Sequence, residues 1–253
     1  MNSEFLPVFV RNALADARRL LPSLEKNQVT QAQALEFCSH LRHAGIGTLF
    51  MTATPEVLHL RLKQSGEAFA WFLRGANEHA KQTGSARPFF DAVAAGDMEV
   101  AREVAKHARR TPAHGEEYEE DFLFVEFLMQ RYLLGAEAAT CERLLTRHEH
   151  VLQGAEDTRL PLCRALLDRD AETFDDALTQ FLLEREDAFE ANAAGELPER
   201  LATEGLFSVE GMALVRLAIL EGVPVAENYL HVPGVALEGC APISGKDAWR
   251  HLD

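Results

Sequence analysis

The chain has 253 residues, 47% of them hydrophobic and 26% charged, enough for one large or two small soluble domains with a proper core. Forty acidic residues against 25 basic give a formal net charge of −15, a field that repels nucleic acid and anionic membrane and attracts a cationic partner. No stretch approaches the ~20 apolar residues of a membrane helix, and MNSEFLPVFVRNALADARRLL lacks the basic-then-apolar order of a secretory signal. A cytoplasmic protein that contacts neither nucleic acid nor membrane is expected.

Helical periodicity dominates, and no stretch alternates with the period of two that marks a strand. From Val8 to Leu21, Phe9, Ala13, Ala17, Leu20 and Leu21 form an apolar stripe opposite Arg11, Asp16, Arg18 and Arg19. A second helix is predicted over much of Gln28–His43, ended by Ala44-Gly45-Ile46-Gly47. Thr54-Pro55 then opens a third, with Gly66 as a candidate kink. Three later segments share one outline, in which an apolar helix end, a short polar turn and a second amphipathic helix follow in order. The turns are Gly96-Asp97, Gly135-Ala136 and Arg169-Asp170, spaced 39 and 34 residues apart. Such periods suit stacked helical hairpins of tetratricopeptide type, although the consensus residues of that repeat are missing.

Leu197-Pro198 and Gly205 break the chain before SVEGMALVRLAILEG, a helix apolar nearly all round and therefore central. Ser208 is its expected N-cap and Gly222 its stop. The remainder, from Val223, is irregular but apolar, and it is expected to pack across the helices. No linker divides the chain, so residues 1–253 read as one all-α domain, an array of repeat-like hairpins with an irregular tail packed on it.

Chemistry is harder to find. The four cysteines, Cys38, Cys141, Cys163 and Cys240, are scattered without a CxxC pair and read as reduced and structural. His40 and His43, with Glu36 one turn earlier, share a helix face but lack the frame of a zinc site, and a solvated face is expected. Phosphate-loop and nucleophile-elbow motifs are missing. Carboxylate pairs abound, yet no substrate loop frames them. The expectation is a protein without catalysis, metal or cofactor.

Charge distribution says more. Between Glu116 and Phe127 there are six acids and no base; between Asp170 and Glu190 there are eight acids against Arg185 alone. Stacked hairpins would let both runs face one side and add their fields. The candidate partner-binding residues are therefore Glu116, Glu117, Glu119, Glu120 and Asp121 from the first run. Asp175, Asp176, Glu184, Glu186, Asp187 and Glu190 come from the second. Carboxylates at a helix start also interact with its dipole, so EEYEED has a structural reading as well.

The stretch FSVEGMALVRLAILEGVPVAENYLHVPGVAL, with its small-residue helix from Ser208 to Leu220, Gly222, and the close at Tyr229, Leu230, Val232 and Pro233, resembles the immunity protein 49 family of bacterial polymorphic toxin and contact-dependent competition systems. EEYEEDFLFVEFL and DALTQFLLEREDAFE resemble it less specifically. The resemblance implies an all-α cytoplasmic protein, encoded beside a toxin, that protects its producer by binding that toxin; on this reading a 1:1 complex is expected. The toxin is often a nuclease, and no small-molecule substrate is implied. An acidic surface suits such a role, because a nuclease presents a basic cleft to its substrate. The competing reading is a helical adaptor for cellular proteins, unrelated to toxins.

Overall fold

The computed structural model describes residues 3–242 and 247–252. Among them run eleven α-helices: α1 Leu6–Glu25, α2 Gln31–Thr52, α3 Glu56–Gly75, α4 Arg87–Ala94, α5 Met98–His107, α6 Glu119–Tyr132, α7 Ala138–Leu152, α8 Arg159–Asp168, α9 Ala171–Asn192, α10 Pro198–Ala202 and α11 Val209–Leu220. Short 3-10 turns fill several connections. Strands are missing among the described residues, where one isolated bridge joins Tyr229 to Val232.

The N-terminal three helices differ from expectation at α2. Thr30 and Gln33 start it with a reciprocal capping box, but it runs on through Gly45 and Gly47 to Thr52. These glycines are packing positions. A Cβ on Gly47 would lie 2.6 Å from Val10 Cγ2, so the missing side chain is what lets α1 approach α2. The same holds for Gly66, where α3 continues unbroken and a Cβ would meet Ala92 and Val100 at 2.8 Å. Close approach, rather than a turn or a kink, accounts for these residues.

The three hairpins form as the sequence suggests: α4–α5 around Gly96-Asp97, α6–α7 around Gly135-Ala136, and α8–α9 around Arg169-Asp170. Each turn needs one left-handed residue, supplied by Gly96 (φ 75°), Gly135 (φ 70°) and, unusually for a side chain with a Cβ, Arg169 (φ 58°). Asp97 and Asp170 then cap the next helix by accepting from Val100 N and Thr173 N.

Ser208 caps α11 by accepting from Gly211 N at 3.0 Å, and Gly222 ends it at φ 74°. Met212, Ala213, Leu214, Val215, Leu217 and Ala218 are wholly buried, and the helix packs on α4; only Ile219 and Leu220 at its end are exposed. The tail crosses the bundle. Ala241 N donates to Ala95 O at 2.7 Å, and Gln64 Nε2 donates to the carbonyls of Ala248 and His251. Trp249 is fully buried, its ring centroid 6.2 Å from Phe37 and 6.1 Å from Trp71. Within the expected tail, residues 243–246 and 253 lie outside the described residues.

Candidate functional site

The first acidic run is more occupied than its composition suggests. Glu119, Glu120 and Asp121 lie in the first turn of α6, where unpaired backbone N–H groups favour negative charge. Glu117 ties two loops together, accepting from Gly84 N at 2.6 Å and Ala113 N at 2.8 Å. Glu119 takes a bidentate pair of bonds from Arg147 on α7, at 2.7 and 3.0 Å, and that hydrogen bonding holds its carboxyl below the ordinary value. Asp121 accepts from Arg159 at 2.6 Å. Glu116 is exposed and only loosely held, 3.5 Å from Gln82, while Glu120 has neither a hydrogen bond nor an ion pair. Between them, Tyr118 is 74% exposed.

The second run is freer. Phe174, Ala177, Leu178, Phe181 and Leu182 bury one face of α9. Helical spacing therefore puts Glu172, Asp176, Asp187 and Glu190 along the opposite face, and all four are exposed around the exposed Leu183. Flanking that stripe, Asp175 faces the Tyr229 hydroxyl, raising the phenol to about 12 together with the larger effect of burial. Glu186 pairs with His231 at 3.2 Å. Glu184 accepts only the Thr158 hydroxyl, at 2.8 Å.

The two runs meet at one place. Glu120 and Glu184 line the same half-open cavity, of about 620 Å³, bordered by α2, α4, α6, α8, α9, α10 and α11 and by the connection between α7 and α8. That volume falls in the range of ligand pockets, roughly 300–1,000 Å³. Six carboxylates open onto it, those already named with Glu156, Asp157, Glu204 and Glu210, and so do five arginines. The arginines, Arg42, Arg87, Arg159, Arg185 and Arg200, come from five different helices.

Most of the inner charges are paired. Arg42 donates Nε and Nη2 to Asp91 at 2.8 and 3.0 Å, and Nη1 to Glu204 at 3.4 Å. Asp91, fully buried, also accepts the Ser65 hydroxyl. Burial opposes the charge on Arg42, yet Asp91 and Glu204 outweigh it and hold the guanidinium above its ordinary value. Glu204 gathers His43 and Arg200 too, at 3.3 and 3.4 Å. Burial alone would raise its pKa; the His43 hydrogen bond and the Arg42 charge instead hold it well below 4.5. Arg159 spends its donors on Asp157 and Asp121.

Arg185 is different. Its Nη2 reaches the carbonyls of Glu204 and Phe207, and its buried Nη1 has no partner. Burial pulls its pKa down.

The histidine face expected to be solvated is not. His43 is buried on Glu204, and His40 is half-buried, 3.8 Å from Glu36. Among the described residues no cluster of three or more histidine, cysteine, aspartate or glutamate side chains could hold a metal ion. All four cysteines are free thiols; burial raises Cys38 to about 12 and pushes Cys141 and Cys163 upward, while Cys240 is exposed. No helix among the described residues is long and apolar enough to cross a membrane.

The family model of immunity protein 49 matches residues 29–235, most of the chain. The chain belongs to the immunity protein 49 family. No curated protein and no solved structure matches it in the corresponding comparisons. The immunity protein 49 match spans α2 to the 3-10 turn at Gly234–Leu237, and so it includes every helix that lines the cavity. Near its end, Tyr229 and Val232 bond backbone to backbone in both directions, with His231 between them at φ 58°. The His231 carbonyl accepts from Ser208 N at 2.8 Å, fastening this close to the start of α11.

Sequence reasoning missed the cavity of this immunity protein altogether. Its arginines are single residues on separate helices, without a shared motif. The one available signal was Arg185, a lone base in a run of eight acids.

Proposed function

We propose that this immunity protein binds a cognate bacterial toxin 1:1 in the cytoplasm and neutralises it through its acidic surface, acting by binding without turnover. Membership of the immunity protein 49 family carries the reading, and the charge of −15 gives it a physical direction. The toxin is a basic, cytoplasm-acting domain, with a nuclease the fitting case, because a cleft shaped for a polyanion also attracts an acidic protein.

The surface assigned to this role is the outer face of α9 with the loop before α6. There the carboxylates of Asp176, Asp187, Glu190 and Glu116 are exposed, and Leu183 and Tyr118 offer apolar contact among them. Aromatic and aliphatic anchors supply most interface energy, while surrounding charge sets encounter rate and register. Glu119, Asp121 and Glu117 serve chiefly to hold α6 and its neighbours, since their oxygens are already bonded within the chain.

The test is association kinetics with the toxin domain encoded by the adjacent gene. Changing Asp176, Asp187 and Glu190 together to Lys reverses three exposed charges that have no internal partner. The association rate should fall at least tenfold at low salt, and the difference should shrink as ionic strength rises. An unchanged rate at low salt would remove the α9 face from the interface.

A further inference from the structure

Five arginines make the cavity look like an anion site at first sight, but the pairing pattern reverses that impression. Arg42, Arg159 and Arg200 are committed to carboxylates of the chain, and so are Asp157 and Glu204 on the acidic side. What remains uncommitted is four carboxylates, Glu120, Glu156, Glu184 and Glu210, against two guanidiniums, Arg87 and Arg185. Glu184 holds a single hydroxyl, and the other three carboxylates have neither a hydrogen bond nor an ion pair.

The placement points the same way. Glu156 and Glu184 are exposed, at the open side, so a ligand entering meets negative charge first. Deeper in, Glu210 is half-buried on the first turn of α11, within the field of Arg87 but bonded to nothing. Burial raises its pKa, as expected for a carboxylate waiting without a donor. A free anion would have to pass the exposed carboxylates and the field of a −15 chain to reach Arg185.

We propose that this cavity is the receptor for a basic side chain, a lysine or an arginine, projecting from the toxin that the protein neutralises. The proposal rests on the immunity reading above and adds to it the place where the partner's charge is desolvated. The exposed α9 stripe steers the encounter, and the cavity holds what arrives. Glu184 and Glu120 meet the cation at the mouth, and Glu210 supplies an acceptor further in. Phe90 and Phe181 on the inner wall leave room for the methylene stem. A charge pair shielded in this way affects dissociation more than association and resists salt.

The experiment compares three proteins against the adjacent gene's toxin domain by surface plasmon resonance at about 0.15 and about 0.5 M salt. They are the wild type, the double variant Glu120→Gln with Glu184→Gln, and the triple variant that adds Glu210→Gln. Glutamine keeps shape and the Thr158 bond while removing charge. Melting temperatures check that each is folded, and the double variant keeps the test alive if Glu210→Gln impairs folding.

The expected result is dissociation faster by roughly tenfold in the double variant and roughly 30-fold or more in the triple, persisting at the higher salt. If the wild type binds and both variants dissociate within twofold of it, the cavity is not the receptor and the immunity reading stands without it. If the wild type itself does not bind, the immunity reading fails and takes this inference with it.

Discussion

Replacing Asp91 by Asn tests the electrostatic scaffold behind the cavity. The carboxylate accepts Arg42 Nε at 2.8 Å, Arg42 Nη2 at 3.0 Å and the Ser65 hydroxyl, with no exposure to solvent. Asparagine keeps the volume but offers one oxygen, and its amide donates towards a guanidinium that also donates. Arg42 would keep its charge, 95% buried, with one neutral amide oxygen and, as its only remaining ionic partner, Glu204 at 3.4 Å. Breaking one side of a buried ion pair costs about 3–5 kcal/mol, and the surviving Glu204 contact places this case near 3. For a chain of this length each kcal/mol moves the melting temperature by about 2–4 °C, so a fall of roughly 6–12 °C is expected. Thermal unfolding followed by circular dichroism, with urea titration for the free energy, would measure it. The double variant Arg42→Met with Asp91→Leu should recover part of the loss, because the Arg42 charge is no longer stranded while the buried Glu204 keeps His43 and Arg200. A loss below about 1 kcal/mol for Asp91→Asn would refute the reasoning, since it is the cost of an exposed pair and would mean that water reaches this one.

Two further outcomes follow from the same network and from the thiols. Glu204 has its folded-state pKa held well below 4.5, so the unfolded chain takes up the proton first as pH falls. Its stabilisation is therefore complete above about pH 4.5 and is lost as pH drops towards the folded value; Asp157, depressed mainly by its bonds to His148 and Arg159 against burial, acts in the same sense. In urea titrations, Glu204→Gln should be less stable than wild type at pH 7, with the gap closing below about pH 4.5; a gap constant down to pH 3 would contradict the assignment. Of the four thiols, Cys240 alone should react promptly with an aromatic disulfide reagent under native conditions, the other three waiting for unfolding because burial disfavours their thiolates. Prompt reaction of two or more thiols would show that the core opens more readily than its packing implies.

The hairpins were readable in the sequence because their turns are local. A left-handed residue followed by a capping Asp interrupts each apolar periodicity at Gly96 and Arg169, and Gly135 marks the third. The extent of α2 was not readable, because Gly45 and Gly47 serve contacts with α3 and α1 that are distant in the chain; a glycine inside a helix looks like a stop until its neighbour is known. The acidic runs were equally plain as composition, but their division of labour was not. Arg147 lies 28 residues from Glu119 and Arg159 lies 38 from Asp121, so nothing local marks those carboxylates as engaged while Asp187 and Glu190 remain free. The cavity is an extreme case, since its charges come from separate helices and its character depends on which of them are paired.

The central claim is neutralisation of a toxin, and protection of a living cell tests it most directly. The toxin domain of the adjacent gene would be expressed in the cytoplasm of a neutral bacterial host, with and without this protein carrying an affinity tag. Restored growth together with recovery of the toxin on the tag in equal molar amount is the predicted result. A toxin that still kills in the presence of the folded protein, with none of it retained on the tag, would contradict the account.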